Sequence, residues 1–522
     1  MHFKFHHWVA AGLAVLASLP TSHAETLGYL RPRPSREIAS SFWGIQSGDI
    51  ERVTVFERAG ELGVKWTRFL AVWPAIEKEK GRYDFSSVDE PVNAARAQSI
   101  TPFVCLSNGN KLYSAAIPNP DPNWRLIYGV KPAPPILDEA AMTAWLNYVE
   151  AVVAHTKDRI THWEIWNEPN HYAYWGAPPS AADYGRLVRL TAARIRAVQP
   201  DAVIIAGALA GLDPKFVAGF LAEDTARAVD IVSFHNYAAL PEARIYFADD
   251  TWAALRAHNP KLKLWQGECG YGSASSTKDF RGTSPWGEMV QAKWLLRQAF
   301  VDTYFMRASL SIYFKLFDGG DRAARQARPE LKPVDAILGF PAEATGRRVR
   351  GVGVNEKCLL SNPDLTPKPA FHAYKNLTAL MDGRYQPIDF DGRKAVTVTA
   401  PGQFAGIGEA DDAYPSIPLV AAYRDSAGAT LLAYWLPWQP QEYTPKPATV
   451  TLRVPGAHFT EPVLVNLLDG SVHALSAPRE EKGVAIFAGL PLFDFPLIII
   501  ERAQTALSPQ RSTPSNDAIP QL

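Results

Sequence analysis

Short apolar runs alternate with longer amphipathic stretches between residues 41 and 383. The apolar runs are rich in β-branched and aromatic side chains, as buried strands are, and the stretches between them repeat their apolar positions at helical spacing. Eight such βα units in a row predict a closed (β/α)8 TIM barrel, in which functional residues lie at the carboxyl ends of the strands. The predicted strands are Phe42–Ile45, Val64–Phe69, Thr101–Leu106, His162–Trp166, Val203–Ala206, Ile231–His235, Leu262–Gln266 and Ser309–Phe314.

Two of the intervening helices begin at clear capping signals. Ser180-Ala181-Ala182-Asp183 forms a capping box, and apolar residues follow it at helical spacing as far as Val198. Asp138 is placed to cap another helix, and a last helix is predicted at about Pro369–Met381. These helices should pack on the outside of the predicted barrel.

The pattern changes after Gly383, where helical spacing disappears and Gly and Pro clusters separate short strand-like runs. Seven such runs without helices predict an antiparallel β-sandwich. We therefore expect a barrel at 25–384, a sandwich at 385–502 and a disordered tail rich in Ser, Pro, Gln and Thr at 503–522. The runs are Ala395–Ala400, Leu419–Arg424, Thr430–Leu436, Thr449–Val454, Val463–Leu467, Val484–Phe487 and Leu497–Glu501.

Composition narrows the possible partners of this chain. Its 522 residues contain 53 Lys and Arg against 53 Asp and Glu, so no net charge favours nucleic acid or an acidic membrane surface. Trp is abundant, with 15 residues, and indole rings form platforms for sugar rings as well as core packing. Cys105, Cys269 and Cys358 allow at most one disulfide. Because no Cys-x-x-Cys or His-x-x-x-His spacing occurs after the first 24 residues, we expect no metal site and no cofactor.

The first 24 residues have the pattern of a secretory signal peptide. Lys4 gives a weakly basic start, Val9 to Leu19 is apolar, and Ser22-His23-Ala24 offers a cleavage site. The apolar stretch is shorter than the roughly 18 residues that a membrane span needs. We expect an exported chain, periplasmic or extracellular, that is cleaved near Ala24 and has no stable membrane insertion.

The stretch Thr161-His162-Trp163-Glu164-Ile165-Trp166-Asn167-Glu168-Pro169-Asn170 carries the first candidate for catalysis. A buried strand runs into an Asn-Glu-Pro corner, where the Pro prevents its continuation. Glu168 thus stands at the carboxyl end of the fourth strand, where Trp163 and Trp166 are expected to form walls around it. There a carboxylic acid can keep its proton and give it to a leaving group. A solvated loop glutamate is the plainer alternative, and a second carboxylate weighs against it.

The second carboxylate, Glu268, ends the seventh predicted strand, Leu262-Lys263-Leu264-Trp265-Gln266-Gly267-Glu268. Strands four and seven lie across one barrel mouth, so Glu168 and Glu268 can face each other. Two carboxylates on either side of one cleft are what cleavage of a glycosidic bond requires. One acts as the acid, and the other acts as the nucleophile or base.

The motif Trp166-Asn167-Glu168-Pro169-Asn170 and the order of strands resemble a clan of (β/α)8-barrel retaining glycoside hydrolases. That clan carries its acid/base on strand four and its nucleophile on strand seven. Over about residues 40–500, and with its trailing sandwich, the layout most resembles glycoside hydrolase family 39. The resemblance implies that Glu168 is the acid/base, that Glu268 is the nucleophile, and that the substrate is a carbohydrate.

The same resemblance assigns roles to four further residues. It places Arg68 on the nucleophile as a forked cation, Asn167 on the 2-hydroxyl of the sugar, and His235 and Tyr237 beside the nucleophile. A structural ion pair for Arg68 and a satisfied barrel histidine for His235 remain as alternatives. Glu164 shares the inward direction of Glu168 but lies one layer deeper, which favours an interior hydrogen-bonding role.

The loops at the strand ends are long and aromatic, which favours a lined cleft, although packing of loop on loop would look the same. We expect Trp175, in the loop after the fourth strand, to contact substrate. Where the clan often carries a Trp at the end of strand eight, this chain has Tyr313-Phe314-Lys315-Leu316-Phe317-Asp318. Phe317 is expected to replace that Trp as the floor of the first sugar site, with Lys315 able to contact an acidic sugar.

The sequence therefore predicts a retaining glycoside hydrolase that acts, without a cofactor, on β-linked O-glycosidic bonds of a polysaccharide or oligosaccharide. Two alternatives stay open. A transglycosidase would use the same machinery to transfer the sugar to another sugar. A non-catalytic polysaccharide-binding protein of an export system would need neither glutamate, and both are present.

Overall fold

The computed structural model describes residues 25–46, 53–120, 130–273, 287–317, 357–361, 365–404 and 416–510, and the predicted signal peptide lies outside these ranges. The strands are β1 (Thr26–Leu30), β2 (Trp43–Gln46), β3 (Trp66–Val72), β4 (Thr101–Ser107), β5 (His162–Ile165), β6 (Val203–Ala210), β7 (Ile231–Asn236), β8 (Lys263–Cys269), β9 (Ser311–Phe314), β10 (Gln386–Pro387), β11 (Val396–Ala400), β12 (Leu419–Arg424), β13 (Thr430–Trp435), β14 (Ala448–Pro455), β15 (Pro462–Asn466), β16 (Ser471–Ala474), β17 (Arg479–Glu481), β18 (Val484–Leu492), β19 (Leu497–Glu501) and β20 (Leu507–Ser508). The α-helices are α1 (Val53–Leu62), α2 (Trp73–Ile76), α3 (Ser86–Ala97), α4 (Glu139–Thr156), α5 (Tyr172–Trp175), α6 (Ala181–Val198), α7 (Pro214–Leu221), α8 (Thr225–Ala228), α9 (Ala248–His258), α10 (Glu288–Phe300), α11 (Pro369–Leu380) and α12 (Gly392–Ala395).

Strands β2 to β9 close into a barrel in chain order, and each pairs in parallel with its neighbours. All eight strands that the apolar runs predict are present, which confirms the TIM barrel. Their ends shift by a few residues. The shift that matters most is at β8, which continues through a register change after Gln266 to Cys269 and so carries Glu268 inside the strand.

The two helices with capping signals begin where the sequence places them. Ser180 Oγ accepts from the Asp183 N–H at 3.2 Å ahead of α6, and Asp138 accepts from the Ala141 N–H at 2.8 Å ahead of α4. Each cap satisfies a backbone donor that a helix start leaves free, a contribution of about 1 kcal/mol. Both helices bury one apolar face. No helix in the described ranges is long and apolar enough to cross a membrane.

The remaining strands form a β-sandwich of two antiparallel sheets. One sheet has eight strands in the order β10-β12-β13-β19-β15-β16-β1-β20, and the other has four in the order β11-β14-β18-β17. In β14 the buried residues Val450, Leu452 and Val454 alternate with more exposed ones, because one face of the sheet covers a core.

Two predictions about the outer parts of the chain are wrong. β1, which the sequence assigned to the barrel segment 25–384, pairs with β16 and β20 in the eight-stranded sheet of the sandwich. The segment from residue 503, predicted to be disordered, contributes β20 to the same sheet, whereas residues 511–522 lie outside the described ranges. Both strands are short and pair with partners distant in sequence, so tertiary pairing overrides their weak local pattern.

α10 lies between the two domains. Every residue from Met289 to Phe300 is buried, because the barrel covers one side of the helix and the sandwich covers the other. The helix carries buried Lys293 and Arg297, each paired with a buried carboxylate. The three cysteines of the chain are buried and form no disulfide.

Candidate active site

The chain leaves β5 through a strained turn that carries Glu168. Trp166 and Glu168 have φ angles of 67° and 50°, a left-handed conformation that residues other than glycine rarely adopt. Two backbone hydrogen bonds hold the turn. The Trp166 N–H donates to the Leu106 carbonyl at 2.8 Å, and the Glu168 N–H donates to the Ala208 carbonyl at 2.9 Å. The neighbouring strands β4 and β6 therefore fix the position of Glu168.

Glu268 stands on β8, across the barrel mouth from Glu168. One carboxylate oxygen of each residue lies within 4.8 Å of the other and of a ring nitrogen of His235. The structure thus brings together the two strand-end carboxylates that the sequence pairs. Carboxyl groups that act through a covalent sugar intermediate stand about 5–5.5 Å apart, whereas pairs that leave room for water stand about 6.5–9.5 Å apart. The short approach fits the first of these arrangements.

Arg68, which is fully buried, connects the two sides of the cleft. It donates from Nη1 to Glu268 Oε2 at 2.9 Å and from Nη2 to Asn167 Oδ1 at 2.8 Å. Its Nε and Nη2 both approach Glu164 Oε2, at 2.7 and 2.6 Å. The fork that the sequence predicted for the nucleophile is therefore directed at Glu164, and Glu268 receives a single arm. Burial alone would lower the pKa of Arg68, but Glu164 and then Glu268 raise it, so the guanidinium stays charged.

Glu164 lies one layer below the cleft and is completely buried. The Ser233 hydroxyl donates to Glu164 Oε1 at 2.7 Å, while Arg68 occupies Oε2. Both oxygens therefore have partners, as a buried carboxylate requires. Glu164 supports Arg68 from beneath, which fits the interior role that strand parity indicated.

Tyr237 holds the second oxygen of the nucleophile candidate. Its hydroxyl donates to Glu268 Oε1, and although 38% of Tyr237 is exposed, this end faces the carboxylate. Burial alone would raise the pKa of Glu268, but His235 and the Arg68 guanidinium hold that pKa below its usual value. The Tyr237 hydroxyl and Lys357 add to the same effect. Glu268 is thus ionised at neutral pH, as a carboxylate nucleophile must be.

His235 bonds to the other carboxylate. Its ring is buried, and Nδ1 lies 2.8 Å from Glu168 Oε1. The sequence placed His235 beside the nucleophile, and in the structure it lies opposite Glu268 on the neighbouring strand. Its hydrogen bond, however, is directed at Glu168. The proton in this bond follows the state of Glu168. An ionised Glu168 accepts from Nδ1–H, whereas a protonated Glu168 donates to Nδ1.

Partly buried aromatic rings lie near each of the two carboxylates. Beside Glu268, Phe314, the last residue of β9, meets Tyr237 edge-on with ring centres 6.3 Å apart. Shortly after Glu168 in the chain, the rings of His171 and Tyr174 have centres 5.3 Å apart. A cleft with aromatic walls and a polar base is suited to sugar rings, which present apolar faces and polar edges.

Two aromatic residues that the sequence assigned to substrate contact are buried beneath the cleft. Trp175 is 1% exposed and packs edge-on against Trp166, and Phe317 is 2% exposed within the hydrophobic core. Lys315, expected to reach an acidic sugar, is buried with its Nζ 5.2 Å from the Phe314 ring centre. Because β9 ends at Phe314, this residue occupies the strand-end position that the sequence gave to Phe317.

Two neighbours of the site were missed from the sequence. Gln46, the last residue of β2, accepts from Arg68 Nη1 at 3.4 Å, and its strand-end position is a signal that could have revealed it. Lys357 places Nζ 4.6 Å from the Tyr237 ring centre. It belongs to a long segment without hydrophobic periodicity, so no sequence signal pointed to it.

Glu168, His235 and Glu268 form the group of described side chains whose spacing would suit a metal ion. The surrounding charges oppose that role. Arg68 contacts Glu268 directly, and Lys357 acts on the charge of the same carboxylate. A cation would have to compete with both of them. The arrangement fits nucleophilic and acid–base chemistry better than metal coordination.

Comparisons with known proteins agree on the fold. No protein-family model matches the sequence, and no curated protein matches it. Among solved structures, a family 39 glycoside hydrolase from the gut symbiont Bacteroides cellulosilyticus WH2 has a TM-score of 0.58 at 18% identity, covering 90% of this chain and 81% of that one. A monomeric β-xylosidase from Caulobacter crescentus CB15 has a TM-score of 0.54 at 17% identity, covering 89% and 97%.

A family 30 endoxylanase from Clostridium papyrosolvens C71 gives a TM-score of 0.55 at 12% identity, covering 92% of this chain and 98% of that one. The chain therefore shares the barrel-and-sandwich fold of family 39 and family 30 glycoside hydrolases, as the motif around strand four indicated.

Proposed function

We propose that this protein is a retaining glycoside hydrolase that cleaves β-linked O-glycosidic bonds of a polysaccharide or oligosaccharide. The observation that carries the proposal is the approach of the Glu168 and Glu268 carboxylates to within 4.8 Å at the carboxyl ends of β5 and β8. The low pKa of Glu268 supports its assignment as the nucleophile. The fold that the chain shares with known glycosidases supports the reaction class.

In the first step, an oxygen of Glu268 attacks the anomeric carbon while Glu168 gives its proton to the glycosidic oxygen. The bond from the anomeric carbon to the leaving oxygen breaks, the leaving sugar departs as an alcohol, and a glycosyl ester with Glu268 forms. Asn167 uses Oδ1 to accept from Arg68, so its Nδ2 is the group that can donate to a sugar hydroxyl.

In the second step, Glu168 is ionised and takes a proton from water, whose oxygen attacks the anomeric carbon and releases Glu268. Two inversions give net retention of configuration. The Nδ1 of His235 can follow the change of charge, since it bonds to Glu168 Oε1 in either protonation state. The position of Phe314 and Tyr237 favours them as the wall against which the sugar ring packs.

The proposal is tested by separating the two glutamates with aryl β-glycosides and azide. Glu168→Ala should slow cleavage of substrates with poor leaving groups by about 10²–10⁴-fold, because they need the acid, and should spare the first step for good leaving groups. Azide should then release a β-glycosyl azide, since no base is needed to activate it. Glu268→Ala should be inactive, and azide should not restore a product of retained configuration.

The exposed Glu79, which pairs with Arg82 at the surface, provides the control variant Glu79→Ala, which should behave as the wild type. Exchange of the two phenotypes would reverse the roles, and unchanged activity in both glutamate variants would exclude the proposal. Product analysis in the same assay separates hydrolysis from transfer to a second sugar. We also propose that the chain is exported, and amino-terminal sequencing of secreted protein should then find Glu25 first.

A further inference from the structure

The loop after β7 carries Tyr237 and is fastened to α10 at two points. Trp294 of α10 donates from Nε1 to the Ala238 carbonyl at 3.0 Å. Farther along the loop, the buried Glu242 carboxylate receives both arms of Arg297, at 2.7 Å from Nε and 2.6 Å from Nη2. A forked contact of this kind fixes both distance and orientation.

The sandwich holds the same pair of charges from the other side. Trp435, on β13, donates from Nε1 to Glu242 Oε1 at 2.8 Å. Arg297 uses its remaining nitrogen, Nη1, to donate to the Trp438 carbonyl at 2.6 Å. These side chains are buried, so water cannot replace a contact that is lost.

Two further contacts fix α10 to the sandwich. Lys293 Nζ lies 2.9 Å from both carboxylate oxygens of Asp494. The Glu442 carboxylate accepts from the Val290 N–H at 2.9 Å and so caps the helix start. Gly287 makes room for it, because a Cβ there would lie 1.9 Å from the Glu442 carboxyl carbon. The helix is therefore held in register with the sandwich.

We propose that Trp435 is a positioning residue for the nucleophile: through Glu242 and Arg297, the sandwich fixes the loop that presents the Tyr237 hydroxyl to Glu268. The inference rests on the proposed function, in which Glu268 is the nucleophile. The sandwich would then contribute to the geometry of the active site, although none of its side chains needs to contact the substrate.

Loss of the Trp435 contact should weaken one of the contacts to Glu268 before the others. Glu268 is faced by Arg68 from β3, His235 from β7, Glu168 from the end of β5, the Tyr237 hydroxyl, and Lys357. Arg68 and His235 lie within barrel strands, whereas Tyr237 lies on the loop beyond β7. Loosening that loop should remove the Tyr237 contact and leave the strand-borne groups in place. The pKa of Glu268 should then rise.

The test compares two identical substitutions, Trp435→Phe and Trp43→Phe. Each removes one buried indole N–H bond of 2.8 Å and keeps an aromatic ring, and the Trp43 bond goes to the Met381 carbonyl. Trp435→Phe should lower kcat/KM by about fivefold, mainly in kcat. It should also shift the acidic limb of the pH profile of kcat/KM to higher pH. Trp43→Phe should lower Tm about as much as Trp435→Phe does, but it should leave the acidic limb unchanged.

A double variant shows whether the effect passes through Tyr237. Tyr237→Phe should lower kcat/KM by about 10- to 100-fold and raise the acidic limb, because a hydrogen bond to a charged group is lost. Trp435→Phe added to Tyr237→Phe should raise the limb no further. A Trp435→Phe variant with an unmoved limb, or an equal shift in the Tyr237→Phe background, would overturn the proposal.

The inference can also be separated from the proposed reaction. Titration of ¹³C-labelled glutamate carboxyls, with Glu268→Gln used to assign the signal, reports the pKa of Glu268 without turnover. A raised pKa in Trp435→Phe but not in Trp43→Phe supports the positioning role even if no glycoside is cleaved. An active enzyme with the same Glu268 pKa in both variants would exclude the positioning role and leave the proposed function intact.

Discussion

Glu268 and Asp302 are two acids near the strands β8 and β9, and they are held in opposite states. The Glu268 side chain is 14% exposed, whereas Asp302 is completely buried. Glu268 has Arg68 as its ion-pair partner, and its pKa lies below the usual value. Asp302 follows α10 and has neutral partners: Ser311 Oγ lies 2.7 Å from Oδ2, and Gln298 Nε2 lies 2.6 Å from Oδ1. Burial raises the pKa of Asp302 to about 8, because these two hydrogen bonds only partly offset desolvation.

The difference shows that the partners of a carboxyl group in this barrel decide whether the effect of burial on its charge is overcome. A cation beside Glu268 keeps a negative charge where the proposed reaction needs a nucleophile. Amide and hydroxyl partners leave Asp302 neutral over most of the physiological pH range. Through these partners it connects β9 to the end of α10.

The largest effect should come from making both acids permanently neutral. Glu268→Gln removes the nucleophile and should reduce kcat by about 10⁴-fold or more. Asp302→Asn imitates the neutral state, since its amide can donate to Ser311 Oγ while its oxygen accepts from Gln298, and kcat should stay within about twofold. Steady-state kinetics on one aryl glycoside measure both values. Equal losses in the two variants would contradict the contrast.

A smaller effect should follow from weakening the cation itself. Arg68→Lys keeps the charge but cannot reach Glu164, Asn167 and Glu268 together, so we expect kcat to fall about 100-fold with little change in KM. Arg33→Lys, at the partly buried pair with Asp382, is the matched control and should keep its turnover. Normal turnover in the folded fraction of Arg68→Lys would make Arg68 purely structural.

The smallest effect concerns stability against pH. An acid whose pKa is raised on folding stabilises the protein below its unfolded pKa, and that stability is lost as pH rises toward the folded value. Asp302 should therefore lower the free energy of unfolding between about pH 4 and pH 8. Asp302→Asn should remove this slope and raise Tm at pH 8 by about 5 °C.

Glu268 has the opposite sign, because its pKa is lowered on folding. Its contribution is present above the unfolded pKa of about 4.3 and is lost as pH falls below that value. Glu268→Gln should therefore flatten the acid side of the stability curve and leave the alkaline side unchanged. Calorimetric scans of both variants from pH 3 to pH 9 should show that they change Tm in separate pH ranges. A change of Tm in the same pH range for both variants would contradict the prediction.

Much of this fold could be predicted because strand and helix periodicity repeats eight times before residue 383. Barrel closure then places strand ends together, which is why Glu168 and Glu268 could be paired from the sequence. How one side chain divides its hydrogen bonds among several partners could not be predicted. Whether Arg68 turns its fork to Glu164 or to Glu268 depends on distances between three strands, and both carboxylates are inward-facing in the sequence pattern.

The aromatic residues near the cleft were harder to place. Loops lack a period, so nothing in the sequence separates a buried Trp175 from a half-buried Tyr174. Phe314 and Phe317 differ only in where β9 stops, and strand ends are the least certain part of any sequence-based assignment. In both pairs, burial determines which residue can contact a substrate, and burial depends on the assembled fold.

The pairing of β1 with β16 has a consequence for the order of events during synthesis. Thr26 and His473 face each other across this pair although 447 positions separate them in the chain. At about 5–20 residues per second, a ribosome needs roughly 20–90 s to make the intervening chain. During that time β1 has no sheet to join, whereas the barrel strands meet their neighbours as they emerge. The barrel should therefore be folded first, and the sandwich should close last around a strand that was made before everything else in it.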